Sequence, residues 1–303
     1  MIRNFDEIQN STKFLSLIKI QSEKFLGIHE EKPRLATVFS SQDRWLMAHV
    51  GLALHFEKII GARHHGLSAA SFVRSVTDHN VTSRNTAIAF LNEMLNYGII
   101  DHRPHPTDRR MRIMVPASTA VEAIIGWTSL HLATLDALDG GDRTSWFHAS
   151  PLTAISELQP AIAAGLLRDK TIRNPPQAFA HFMWMNSGFL ITERLIASLE
   201  DCERLSERLP LRVTSAAVLT SGLNLSRSHS ARKINEAERL GILGWSGTKG
   251  RSPMWLSREF VSSFCSVQAA KLEIIDQAVT RVQATPIHQI DRPQAERQPS
   301  PLN

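Results

Sequence analysis

The sequence predicts a mainly α-helical fold with two tandem winged helix-turn-helix domains, each carrying a small β-hairpin wing, joined by long helices with pseudo-twofold symmetry. Three observations predict it. Residues 81–91, closed by Gly98-Ile99-Ile100, recur in outline as residues 224–234, closed by Gly241-Ile242-Leu243, at a constant offset of 143. Each copy is followed by a basic, turn-rich stretch with strand-like alternation, and each of those by a long helical pattern. A repeat of this length is a duplicated domain and not a solenoid unit.

The register needs no gap: Ser83-Arg84 falls on Ser226-Arg227, Leu91 on Ile234, and Phe72, Val73 and Val76 on Ser215, Ala216 and Leu219. In chain order, residues 1–40 read as an N-terminal extension, loosely attached and ended near Pro33. The first domain with its flanking helices spans 41–140. Leu46, Val50, Leu54 and Phe56 recur there at helical spacing, and Ser68 can cap a helix that buries Phe72, Val73 and Val76. After a turn at Asp78-His79-Asn80, Thr82 or Ser83 can cap a helix with Ile88, Leu91 and Leu95 on one face and Arg84, Asn85, Ala89 and Asn92 on the other. Gly98 stops it in a left-handed conformation. Residues 99–115 then read as strand, turn and strand, with Met111, Ile113 and Val115 alternating inward.

A helix at 119–138 follows, and a helical linker occupies 141–176, with a helix at 150–167 and a break at Asn174-Pro175-Pro176. The second domain spans 177–283. A helix at 181–199 precedes it, Thr214 is its cap, and Ala216, Ala217 and Leu219 are its buried positions. Its wing, 245–256, has Gly247 and Gly250 at the tip, and a helix over 257–282 completes it. The polar, Pro- and Gln-rich residues 284–303 read as a disordered tail.

At 303 residues the chain is long enough for two modest domains, each with its own core. With 43% hydrophobic and 21% charged residues it is neither a disordered chain nor a membrane protein by composition. The formal charge of +5 favours a polyanionic partner only weakly; its placement says more. Cys202 and Cys265 lack metal-ligand spacing and suit a reducing compartment. No apolar run reaches the roughly 20 residues of a membrane span, and residues 1–7 lack a signal-peptide core, so a cytoplasmic location is expected.

The N-terminal residues of a recognition helix meet base edges in the major groove. In the first copy these are Ser83, Arg84, Asn85 and Thr86, and in the second Ser226, Arg227, Ser228, His229, Arg232 and Lys233. Arg84 and Arg227 can pair bidentately with guanine and Asn85 with adenine. In the wings, Arg103, Arg109, Arg110 and Arg112, and Lys249 and Arg251, would neutralise phosphates or enter a narrow minor groove. Each group read singly is a solvated helix face or an ordinary surface; the repetition and the concentration on hairpins favour DNA. His64-His65 and His102-Arg103-Pro104-His105 lack the carboxylates or thiols that complete a metal site. No phosphate loop, nucleophile elbow or metallohydrolase signature is present, so no metal, cofactor or enzyme activity is expected.

Leu67-Ser68, Ser83-Arg84-Asn85-Thr86, Gly98-Ile99-Ile100 and Pro106-Thr107-Asp108-Arg109-Arg110 together resemble the MarR family of bacterial regulators, the multiple-antibiotic-resistance type, over roughly residues 43–138 and more weakly over 181–282. The resemblance implies that Asp108 stabilises the wing and Arg110 reaches the minor groove; the second copy lacks this Asp-Arg-Arg wing. Family members are usually homodimers of one winged helix each, so the resemblance implies a fused pseudo-dimer, with further homodimerisation left open. Relatives bind small, often aromatic acids on the helices joining their halves. Here those helices carry Trp45, His49, Trp127, His131, His181 and Trp184, which as residues alone read as aromatic interface core. The function expected is a sequence-specific regulator of transcription, a repressor by family analogy, binding double-stranded DNA at an imperfect palindrome. A replication initiator with tandem winged helices and a protein-binding scaffold are the alternatives.

Overall fold

The computed structural model describes residues 4–31, 39, 41–62, 66–104, 112–185, 187–200, 206–223 and 227–284, the side chains of Arg112 and Arg227 excepted. These residues are mainly helical, with two small antiparallel sheets, and none of their helices is long and apolar enough to cross a membrane.

Asn4 caps α1 (Phe5–Gln9), its Oδ1 accepting from Glu7 N at 2.9 Å. In α2 (Phe14–Glu31), Phe14, Ile18, Gln21, Ser22 and His29 fall on one helical stripe and are buried. Residues 1–40 were expected as a loosely attached extension; the described part is instead core, because that stripe and Ile8 are covered by other helices.

Leu46, Val50, Leu54 and Phe56 of α3 (Gln42–Ile59) are buried as their spacing predicts. Ser68 and Ser71 form a reciprocal capping box at the start of α4 (Ala69–Asp78), which buries Phe72, Val73 and Val76. Ser83 caps α5 (Arg84–Asn96), its Oγ accepting from Thr86 N at 3.3 Å. The inward face of α5 is Ala87, Phe90, Leu91 and Met94, while Ile88 is 37% exposed and Leu95 half-buried, contrary to the spacing argument. Phe90 stacks on Phe72 with ring centroids 6.0 Å apart, and this contact sets the face one residue earlier.

Gly98 adopts φ +64° before β1 (Ile100–Pro104), which pairs antiparallel with β2 (Arg112–Pro116), Ile100 opposite Pro116. Met114 and Pro116 face inward and Ile113 and Val115 are half-buried, the reverse of the expected alternation. Met114 N donates to Leu67 O at 3.0 Å and fixes that register.

α6 (Ser118–Asp139) ends at Gly140 with φ +75°, and α7 (Arg143–Ala149), α8 (Pro151–Arg168) and α9 (Lys170–Arg173) follow. The single helix expected over 181–199 is two, α10 (Gln177–Met183) and α11 (Gly188–Ala197). Between them Ser187 takes φ +59°, and a Cβ at Gly188 would run into the carbonyl of Phe182, so the chain folds back there.

β3 (Arg208–Pro210) adds an outer strand to the second sheet. α12 (Ala216–Thr220) follows Ser215, not Thr214; it buries Leu219, whereas Ala216 is half-buried and Ala217 exposed. α13 (Arg227–Arg239), β4 (Leu243–Trp245), β5 (Met254–Ser257) and α14 (Arg258–Ala284) complete the chain, in the sheet order β3-β5-β4.

The packing is reciprocal. α2 lies on α11, the helix leading into the second repeat copy, whereas α8 lies on α3, the helix leading into the first. Likewise α1 packs on α14 and α7 on α6. α8, within the stretch expected as a linker, is deeply enclosed: Ile155, Leu158, Ile162 and Leu166 are 0% exposed, and the helix packs on α3 and α14. A Cβ at Gly165 would collide with Ile274 of α14. Two cores were expected, but buried apolar residues from Ile8 to Val279 form one continuous cluster, because each half supplies a helix to the other.

One buried ionic network locks this crossing. Arg143 donates to Asp276 of α14 at 2.6 Å and to Asp139 of α6 through both terminal nitrogens at 2.8 Å, while Asp136 accepts from Thr144 N at 2.8 Å. Removing one member leaves the others buried and uncompensated. Asp276→Ala is expected to cost about 3 kcal/mol in urea unfolding, with a single transition retained; no change in the midpoint would show that the network is dispensable.

Candidate nucleic-acid interface and ligand cavity

The short side chains of Ser83 and Thr86 and the longer ones of Arg84 and Asn85 are all exposed at the first turn of α5, and Ala89 and Asn92 continue that face. Its opposite face is held by the core, and Arg44 of α3 grips Glu93 through two hydrogen bonds of 2.7 and 3.0 Å. The helix therefore presents its N-terminal turn rigidly, with the positive end of its dipole outward. On α13, Ser228 and Arg232 are exposed and His229 is half-buried, whereas Ser230, Ile234 and Ala237 point inward. Lys233 is half-buried and paired with Glu236 at 3.2 Å. Ser226 lies outside the described residues.

Of the wing residues, Arg103 is exposed on β1 and Arg112 sits on β2; Asp108, Arg109 and Arg110 lie outside the described residues. Lys249 and Arg251 are exposed at the second hairpin. Lys249 pairs with Glu238 of α13, donates to Asn235 at 3.0 Å and stands 4.9 Å from the Trp245 ring centroid. Its charge is thus partly neutralised, an arrangement the first copy's basic wing gives no reason to expect.

Two arginines not singled out from the sequence tie the turns to the helical body. Arg173 donates to the carbonyls of His79 and Asn80, both at 2.8 Å, in the turn after α4. Arg194 donates to those of Leu219 and Ser221, at 2.9 and 2.6 Å, in the turn after α12. Their signal is invisible locally, since the partners are backbone atoms remote in sequence.

The aromatic residues expected at the junction divide. Trp45, His49, Trp127 and His131 touch in series, the first two contacts edge-to-face and the third tilted, with successive centroids 4.8, 4.9 and 4.1 Å apart. His181 is elsewhere, donating to the Lys233 carbonyl at 3.1 Å. Trp184 is 55% exposed and borders a separate cleft with Thr86, Ala89 and Glu93. Trp45, His49 and Trp127 line a cavity of about 420 Å³, together with Phe189 and Glu193 of α11 and Lys271 of α14. α6 lines the cavity with the small residues Ala120, Ala123 and Gly126. At the same repeat offset from Ala117 and Val121, α14 carries Phe260 and Phe264, which pack with Phe179 at 5.9 and 5.4 Å and fill the space between α10 and α14.

Electrostatics inside the cavity follow from desolvation. Burial, reinforced by the nearby Lys271 charge, pushes His49 down to about 3 despite its hydrogen bond with Gln159. Burial and then Lys271 likewise hold His131 well below the usual imidazole value. Lys271 itself is brought down to about 8 by burial, opposed by Glu193, whose carboxyl is raised by burial. Glu193 and Lys271 were missed in the sequence because they reach this site from the other repeat copy.

Among the described residues no cluster of His, Cys, Asp and Glu could hold a metal ion; His64, His65, His105 and Cys202 lie outside them, and Cys265 is half-buried on α14. Comparison with known protein families, with curated proteins and with solved structures finds no match to this chain.

His49 carries a pH prediction. Unfolded histidine takes up its proton near 6.5 and His49 only near 3, so between these values the unfolded chain binds more protons and stability falls as pH falls. Urea unfolding is expected to weaken over this window by an amount on the order of 1–4 kcal/mol more than in His49→Gln. Parallel pH profiles for the two proteins would contradict the assignment.

Proposed function

We propose that the chain is a sequence-specific regulator that binds double-stranded DNA through two non-identical winged helices fused into a pseudo-dimer. The observation that carries this reading is the exposed Ser83-Arg84-Asn85-Thr86 turn, set at the N-terminus of a helix whose opposite face is buried and which is followed by a basic hairpin. Its repetition on the same offset at α13 supplies the second reader. The readers differ: Arg232 and Lys233 stand where the first copy has Ala89 and Phe90, so the preferred site is an imperfect palindrome. With both helices on one duplex face their centres lie roughly 34 Å apart.

Repression by occupying a promoter is the mode that the MarR resemblance implies, and the cavity is the place for a small-molecule effector. A ligand there touches α3 and α6 of the first half and α11 and α14 of the second. It can therefore favour one spacing of the halves over another, and DNA, which demands one spacing, reads the difference.

The test is selection of sites from a random DNA pool by the full chain and by Arg84→Ala and Arg227→Ala. Enrichment of one imperfect palindrome is expected. Each substitution should cost on the order of 1–3 kcal/mol on that site and relax base preference in its own half only. Equal loss in both halves, or no enrichment at all, would overturn the proposal.

A further inference from the structure

The cavity holds more chemistry than an apolar slot requires. Trp45, Trp127 and Phe189 supply flat walls. Lys271 Nζ donates to Gln268 Oε1 at 2.9 Å and stands 5.5 Å from the Trp45 ring centroid. Glu193 Oε2 is buried there with no hydrogen-bond partner within bonding distance, the Ser22 hydroxyl being the polar side chain that acts on this carboxyl, so the group retains capacity for a further partner.

The charges around the site argue against an acid as its occupant. Besides the buried Glu193 carboxyl, the exposed carboxylates of Glu31 and Glu122 border the cavity, and Lys271 is the one lysine or arginine among the described lining residues. An anionic ligand would meet an acidic rim with a single basic partner. A neutral carbonyl compound meets no such repulsion and uses both buried groups, the amine as nucleophile and the carboxyl as proton donor.

We propose that the cavity captures a small aromatic aldehyde, whose carbonyl carbon forms an imine with Lys271 Nζ. The neutral amine attacks the carbonyl carbon, the C=O π pair moves to oxygen, and a nitrogen proton passes to that oxygen to give the carbinolamine. The Glu193 carboxyl then protonates the hydroxyl, which leaves as water while the nitrogen lone pair closes the C=N bond. The iminium proton returns to Glu193. Aldehyde and amine thus give imine and water, with nothing oxidised or reduced. Burial, which brings the Lys271 amine down to about 8, keeps about a tenth of it neutral at pH 7, against well under a hundredth for an ordinary lysine. The imine would join α14, from the second half, to a ring held by α3 and α6 of the first.

This deepens the reading of the cavity as the effector site, and its test is read on the protein alone, apart from any DNA affinity. The full chain is incubated with 2-naphthaldehyde and sodium cyanoborohydride, and the reduced adduct is mapped by peptide mass. One adduct at Lys271 is expected, formed at least tenfold faster than at the exposed Lys249, with its rate rising towards pH 8. Glu193→Gln should slow it about tenfold, and K271R should abolish it. Labelling of Lys271 no faster than of Lys249 in the unaltered protein would overturn the proposal without reliance on any variant. Persistence of the fast labelling in K271R would overturn it equally.

Discussion

The structure depends on the placement of α8. Its Ile155, Leu158, Ile162 and Leu166 are fully enclosed between α3 and α14, so an element from the middle of the chain forms the floor of both halves. Each such side chain contributes roughly 1.5–3 kcal/mol when moved from water to a packed interior. α2 does the same in the opposite sense against α11. The described residues therefore form one body, with α5 and α13 each leaving one face exposed.

That core reaches the surface through few, specific contacts. Arg173 and Arg194 hold the turns after α4 and α12 by their backbone carbonyls, and Arg44 holds α5 through Glu93. The cavity lies where these elements meet. Small residues of α6 line it, and elsewhere on α14 Phe260 and Phe264 pack on Phe179. The two halves thus differ in the interior: one contributes α3 and α6 to a cavity, and the other packs these three rings together.

Locally encoded features were legible in the sequence. The Ser68 and Ser83 caps, the left-handed Gly98, and the long helices after each hairpin depend on neighbours within a few residues, and they stand where the pattern put them. Features set by distant partners were not. The face of α5 is decided by Phe90 meeting Phe72, the register of β2 by Leu67, and the break between α10 and α11 by a close approach at Gly188. The crossing of α2 and α8 has no sequence signature at all. At the site, the Trp45–His131 ladder was foreseen as residues and not as a cavity, and Lys271 and Glu193 were invisible because tertiary packing alone brings them together.

The central claim is that one chain, with its two helices held at a core-determined spacing, reads one stretch of duplex from one face. Hydroxyl-radical footprinting on a selected site, combined with the mass of the complex in solution, tests this directly. The account predicts one chain per site, protecting two patches on the same duplex face about one helical turn, roughly 10 base pairs, apart. A single protected patch, or two chains each contributing one patch, would contradict it.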